Sequence, residues 1–180
     1  MNHADHVALI RDGIPHPGGT WADFGSGTGA FTLALAECIG PTGQIYSIDK
    51  KMGALQQQER AMNGRFPQNH VTTITADYTR PLDLPPLDGI IIANALHFQR
   101  RKDGIVQRLH GYLRPGGRLI LVEYNVDRGN MWVPHPLSFQ TWQTIAAQNG
   151  FVETQLLASR PSRFLHEIYA AVSIKPESSN

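Results

Sequence analysis

Cysteine is almost missing from this chain of 180 residues, where Cys38 stands alone. One thiol excludes a disulfide scaffold, a zinc site built on cysteines and any mechanism that needs two thiols, and it fits a reducing compartment. A charge excess is missing too: 16 Lys and Arg face 15 Asp and Glu, for a formal net charge of +1. Binding a phosphate backbone leaves a large positive surplus in a composition, so nucleic acid is not an expected partner. Long hydrophobic runs are also missing. Ile90–Ala93 and Leu119–Val122 are among the longest apolar stretches, far below the roughly 20 residues of a helical membrane span. The first twelve residues carry His3, Asp5, His6, Arg11 and Asp12 where a signal peptide needs an apolar run. The expectation is therefore a cytoplasmic protein without an export signal or a membrane span.

What is present is the composition of a folded domain, 41% hydrophobic and 17% charged. At this length one domain with its own core is the natural reading, residues 1–180. Short apolar runs stand at Trp21–Phe24, Ile45–Ile48, Val71–Thr75, Gly89–Ala93 and Arg118–Tyr124. They are continuous rather than alternating, which suits parallel strands covered on both faces. Helical spacing lies between some of them. Phe31, Ala34, Leu35 and Cys38 recur at i, i+3, i+4, i+7 before Gly40-Pro41, and Ile105, Leu109, Tyr112 and Leu113 precede Pro115-Gly116-Gly117. A third helix is predicted through Phe139, Trp142 and Ala146, capped by Ser138 and ending at Gly150.

Strand alternating with helix predicts an α/β fold, a doubly wound parallel sheet with right-handed crossovers. Past Gly150 the pattern changes. Val152–Ser159 and Glu167–Ile174 read as strands joined by the seven residues Arg160–His166, too few for a crossover helix, so an antiparallel hairpin is expected at a sheet edge. Pro81, Pro85 and Pro86 predict a loop over Asp77–Asp88. Residues 1–19 are expected to form an N-terminal helical segment and 175–180 a disordered tail. His3 and His6 share a helical i, i+3 spacing, but that segment offers too few ligands for a metal.

The strongest local signal is Asp23-Phe24-Gly25-Ser26-Gly27-Thr28-Gly29-Ala30, at the junction of the first strand and the first long helix. Glycines there permit a tight turn and let a ligand approach bare backbone N–H groups at a helix N-terminus. Twenty residues after Gly29, Asp49 ends the second strand, where a carboxylate accepts both hydroxyls of a ribose. An adenosine-like ligand is implied. Gly25, Gly27 and Ala30 also satisfy the dinucleotide pattern G-x-G-x-x-G/A, so the glycines alone do not separate NAD from S-adenosylmethionine. Asp23 tilts the balance, because an acidic residue two before the first glycine repels a pyrophosphate. The chain is also too short for a second nucleotide-binding half.

Later strand ends add Asp77-Tyr78, Asn94-Ala95-Leu96-His97 and Leu113-Arg114-Pro115-Gly116-Gly117-Arg118-Leu119. With this ordered set the sequence resembles the class I S-adenosylmethionine-dependent methyltransferases from Thr20 to Ile174, nearest the small-molecule group that includes ubiquinone and menaquinone C-methyltransferases. The resemblance implies a Rossmann-like sheet of order 3-2-1-4-5-7-6 with strand 7 antiparallel. It implies that Gly25, Ser26 and Gly27 line the methionine part of the cofactor, with Asp23 steadying that loop and helping to hold the ammonium. Asp49 would bind the ribose hydroxyls, and Lys50 to Met52 would cover one adenine face. Asp77 would accept from the adenine amino group while the Tyr78 backbone N–H serves a ring nitrogen, and Asn94 would contact the methionyl end. Lys50 departs from the apolar residue common among relatives, so its aliphatic stem would do the packing. Related metal-dependent enzymes carry an Asp where Asn94 stands, so no metal is expected.

Displacement at a sulfonium needs collinear positioning, and a general base only where the acceptor sheds a proton. The candidate catalytic residues at the C-terminal rim of the sheet are His97 and Tyr124. Residues 125–137, with Trp132 and His135 as substrate contacts, would form a wall or lid for an apolar or aromatic acceptor. With no cap domain, recognition of a small-molecule acceptor falls to the N-terminal segment, the 125–137 loop and the 160–166 turn. An NAD-linked oxidoreductase and a non-catalytic cofactor-binding protein remain as alternatives.

Overall fold

Continuous apolar strands separated by helices find a stable arrangement as a parallel sheet covered on both faces. The computed structural model, which describes residues 1–162 and 164–178, has that arrangement. After α1 (His3–Ile10) come β1 (Thr20–Phe24), α2 (Ala30–Ile39), β2 (Gln44–Asp49), α3 (Met52–Arg65) and β3 (His70–Thr75). They are followed by β4 (Leu87–Ala93), α4 (Asp103–Tyr112), β5 (Leu113–Tyr124), α5 (Phe139–Gln148), β6 (Val152–Ser162) and β7 (His166–Ile174). The seven strands form one sheet of order β3-β2-β1-β4-β5-β7-β6. β1 to β5 are parallel, and β7 runs antiparallel to both of its neighbours. The chain order reverses between β1 and β4, which opens a crevice at the C-terminal ends of those strands.

Alternate side chains of the buried strands divide between two cores. Ile90, Ile92, Leu119 and Leu121 pack with Val106 and Leu109 of α4 and Trp142 and Ala146 of α5. Ile91, Ile120 and Val122 pack with Val7, Leu9 and Ile10 of α1 and Phe31 and Leu35 of α2. Among the described residues, no helix is long and apolar enough to cross a membrane.

Five details differ from the sequence expectation. Helix α3 carries no apolar stripe. Its buried side chains are Leu55, Gln58 and Met62, so a glutamine fills the position between two apolar contacts seven residues apart, and periodicity alone passes over it. Leu113, expected as the last helical residue, opens β5 and pairs with Leu87, whereas Gly89 pairs with Arg118. The Arg-Pro-Gly-Gly segment between them is a bulge, with Gly116 at φ +72°. The terminal hairpin is tighter than seven residues allow, because β6 runs to Ser162 and β7 begins at His166. At the N-terminus, helix covers His3–Ile10 and a 3-10 turn Arg11–Gly13, short of residue 19. Lys175, first residue of the expected tail, donates through Nζ to the carbonyls of His110 and Leu113. Residues 179–180 of that tail lie outside the described residues.

Candidate active site

β1 delivers the chain into a turn in which Gly25, Gly27 and Gly29 have φ of +75°, +56° and +90°. These left-handed conformations strain any residue with a Cβ. The N–H groups of Gly25 and Ser26 donate to the Ile48 carbonyl at 2.8 and 3.0 Å. One residue on, Gly27 N–H donates to Asp49 Oδ2 at 2.9 Å and Lys51 N–H to Oδ1 at 2.8 Å. Asp49 is thus clamped at the end of β2, with a further lone pair on each oxygen for a ligand hydroxyl. A Cβ on Gly25 would stand 2.7 Å from that of Ala95, while one on Gly27 would meet nothing within 4 Å. The turn presses against the end of β4 on one side and is open on the other. Behind it, Gln58 Nε2 donates to Ser47 Oγ and Ser47 Oγ to Ser26 Oγ, both at 2.7 Å. Gln58, which sequence reasoning missed, joins α3 to the turn.

Asp23 is buried at the end of β1 and accepts from Thr32 Oγ1 at 2.6 Å. Burial pushes its pKa up to about 7, against the pull of the Thr32 bond and with a further push from the Asp49 charge. Asn94, just past β4, holds φ +50° and donates its N–H to the Val122 carbonyl at 2.9 Å. Its Oδ1 is buried without a hydrogen-bond partner, a state that costs about 1–3 kcal/mol until a donor arrives. A carboxylate with spare lone pairs, an orphaned acceptor and a buried acid near an open glycine turn fit a ligand that brings hydroxyls, N–H donors and a cation.

The remaining cofactor candidates sit at the rim. Lys50 and Met52 flank Asp49, with Met52 60% exposed at the start of α3. Asp77 is exposed and accepts at Oδ1 from the Thr79 N–H and hydroxyl, bonds that hold its pKa below the usual carboxylate value. Tyr78 was singled out for its backbone, yet its side chain is the informative part. The hydroxyl donates to the Ala95 carbonyl at 2.7 Å, and the ring lies against Gly25, bridging the ends of β3 and β4.

On the other side of the crevice His97 lies in a 3-10 turn, Leu96–Phe98. It is 3% exposed, and Glu123, on β5, is fully buried. His97 Nδ1 stands 2.9 and 3.0 Å from the two Glu123 oxygens, and the backbone N–H groups of His97 and Tyr124 donate to the same carboxyl at 3.2 and 2.8 Å. A carboxylate accepts only, so Nδ1 is the donor, and in the neutral ring Nε2 carries the lone pair. Nε2 has no hydrogen-bond partner among the described residues. The rings of Phe98 and Tyr124 lie 4.3 and 6.1 Å from the imidazole, centroid to centroid. Burial, then the Glu123 charge, pushes the Tyr124 phenol above its ordinary pKa.

The 125–137 loop is pinned to this turn. His135 N–H donates to the His97 carbonyl at 3.0 Å, and Lys102 Nζ donates to the carbonyls of His135 and Gln99, both at 2.9 Å. Burial lowers the Lys102 pKa. The structure therefore brings His135 to His97 through its backbone. Trp132 is 69% exposed, and its N–H is tied to Asn130 Oδ1. Glu123 and Lys102 were not legible beforehand. Among the described residues no group of three His, Cys, Asp or Glu is placed to hold a metal ion.

This fold is shared with solved structures. The YcgJ protein of Bacillus subtilis superposes with a TM-score of 0.79 at 13% identity, covering 98% of this chain and 100% of that one. The Burkholderia thailandensis 1,6-didemethyltoxoflavin-N1-methyltransferase, solved with 1,6-didemethyltoxoflavin and S-adenosylhomocysteine, gives 0.74 at 17% identity, covering 97% of this chain and 78% of that one. In sequence the chain is 26% identical over 130 residues to the 2-phytyl-1,4-naphtoquinone methyltransferase of Trichormus variabilis, covering 70% of this chain and 54% of that protein. It is 26% identical over 110 residues to the ubiquinone/menaquinone biosynthesis C-methyltransferase UbiE of Pseudomonas aeruginosa, covering 61% and 43%. The chain spans about half the length of these curated relatives. Residues 22–119, more than half of the chain, match the model of the methyltransferase domain, and they carry the glycine turn, Asp49, Asn94 and His97: the chain belongs to the methyltransferase domain family.

Proposed function

We propose that the protein transfers a methyl group from S-adenosylmethionine to a small-molecule acceptor. The observation that carries this reading is the Asp49 carboxylate, oriented by the Gly27 and Lys51 N–H groups beside a glycine turn that is open at Gly27. When bound, the cofactor supplies a sulfonium-activated methyl group that leaves by in-line displacement. Asp49 holds the ribose hydroxyls, with Lys50 and Met52 along the adenine and Asp77 and the Tyr78 backbone at its edge. Gly25, Ser26 and Gly27 support the methionine portion, Asn94 Oδ1 takes a donor from it, and Asp23 answers its ammonium.

His97 is the proton acceptor. Glu123 fixes the tautomer by holding Nδ1–H, which leaves Nε2 to remove a proton from an acceptor hydroxyl or amine as the new bond to carbon forms. Tyr124, with its raised pKa, serves as wall and hydrogen-bond donor rather than as base. The 125–137 loop, held through His135 and Lys102, shields this side, and Trp132 touches the acceptor.

Thermal shift tests the cofactor assignment. S-Adenosylhomocysteine at a hundred times its dissociation constant should stabilise the protein by about 2.7 kcal/mol, NADH should not, and Asp49→Ala should abolish the effect. Stabilisation by NADH with S-adenosylhomocysteine inert would overturn the assignment. Incubating the protein and labelled S-adenosylmethionine with a cell-metabolite extract tests turnover and finds the acceptor. His97→Gln should lower that rate about 10²–10⁴-fold while the S-adenosylhomocysteine shift stays.

A further inference from the structure

The terminal hairpin is antiparallel, so the start of β7 returns to the rim where β5 ends, and Tyr124 pairs with Ile168. There the hairpin and the first turn of α1 enclose a cavity of about 570 Å³, with Asp5, Tyr124, Arg160, Phe164 and Ile168 among its walls. Pockets that take a single small molecule measure roughly 300–1,000 Å³. The cavity shares Tyr124 with the candidate active site. The Tyr124 ring lies 6.1 Å from the His97 ring and 5.9 Å from the Phe164 ring, tilted by 51° and 50°.

Charge on these walls is unequal. Arg160 Nη1 donates to the Ser159 carbonyl at 3.2 Å, and among the described residues no carboxylate pairs with it. Glu167, on the neighbouring strand, is engaged by Asn125 Nδ2 and Ser159 Oγ. Asp5, across the cavity, accepts from the Asn2 N–H at 2.9 Å in the first turn of α1, where the helix dipole offsets its charge. Among the described side chains of these walls, the uncompensated charge is the Arg160 guanidinium, whose fork of N–H donors matches a planar oxyanion.

We propose that this cavity takes the methyl acceptor and that the acceptor is a flat aromatic acid. Its ring packs on Tyr124 and Phe164, and Arg160 binds its anionic group, leaving the reacting atom toward His97. That the ligand is the acceptor rests on the methyl-transfer reading; that Arg160 and the two rings bind an aromatic anion does not.

Calorimetric titration of the cofactor-free protein with 2-naphthoate, the uncharged 2-naphthamide and 2-naphthyl phosphate is the test. 2-Naphthoate should bind about tenfold or more tightly than the amide, a preference for the charged group that Arg160→Gln should erase and Arg160→Lys should keep in part. Tyr124→Leu should weaken acid and amide alike. Preference for the phosphate over the carboxylate would assign the anion as a phosphate ester and keep the subsite. Equal binding of acid and amide to the unmodified protein, or a preference that survives Arg160→Gln, would overturn the proposal, and the first comparison needs no variant. S-Adenosylhomocysteine thermal shifts on the same samples separate the two claims. A normal shift without acid preference sinks the subsite alone, and acid preference without any shift sinks the methyl-transfer reading alone.

Discussion

Asp49, on the β1–β2 side of the crevice, is half-exposed and held by two backbone N–H groups from residues 27 and 51. Glu123, on the β4–β5 side, is fully buried and held by two backbone N–H groups plus the His97 imidazole. Both are strand-end carboxylates near one crevice, yet they are prepared for different work. Asp49 keeps lone pairs facing solvent, so it is a ligand site in waiting. Glu123 spends its oxygens inside the protein, and its effect reaches a ligand only through the ring it orients. The comparison shows that surplus hydrogen-bonding capacity distinguishes a binding carboxylate from a positioning one.

The contrast predicts unequal costs. Glu123→Ala leaves the buried imidazole N–H and two backbone N–H groups without their acceptor, and at about 1–3 kcal/mol for each unsatisfied buried donor it should cost at least about 3 kcal/mol, measured by urea unfolding at neutral pH. A loss below 1 kcal/mol would erase the distinction between the carboxylates. Asp23→Asn comes next and depends on pH. Because the folded pKa is raised to about 7, the neutral acid is the favoured buried form, and the native state loses stability relative to the unfolded chain as pH rises from about 4 to 7. Unlike the wild-type acid, Asn carries no such penalty. The variant should therefore gain about 3 kcal/mol more relative to wild type at pH 8 than at pH 5, two titrating units at about 1.4 each. Urea unfolding at both pH values checks this, and a pH-independent difference would refute it.

Asp49→Ala removes two hydrogen bonds from a half-exposed site and should cost about 1 kcal/mol in the free protein, although it abolishes the S-adenosylhomocysteine shift. Trp132→Ala should be smallest, within about 0.5 kcal/mol of wild type as for exposed side chains, with any effect confined to the acceptor KM. An unfolding midpoint shifted well beyond that would make Trp132 a packing residue.

The glycine turn, Asp49 and the terminal hairpin were legible because each follows from neighbouring residues or from regular alternation, whereas the strand order came only from the family resemblance. Glu123 was not. In Ile-Leu-Val-Glu-Tyr it reads as one polar residue ending a strand, and its partner His97 is 26 positions away. Gln58 and the whole of α3 escaped for a related reason: the helix buries an amide where an apolar residue would have revealed its period. Tyr78 was read through its backbone because the ring's contact, Ala95, comes from another strand end 17 residues on. Arg160 fell in a predicted turn, whereas the hydrogen-bonded strand extends through it. What stayed hidden are side-chain meetings created by the sheet.

Helix α3, anchored through Leu55, Met62 and the Gln58–Ser47–Ser26 chain, has a consequence for how ligand occupancy is felt elsewhere. A helix with few apolar anchors opens locally at a lower free energy than the strands beneath it. Its closing is tied to the order of the turn that Ser26 belongs to. Amide hydrogen exchange in residues 55–62 should therefore be coupled to that turn, and a ligand seated on Gly27 and Asp49 is expected to slow exchange in a helix tied to the crevice through a buried glutamine.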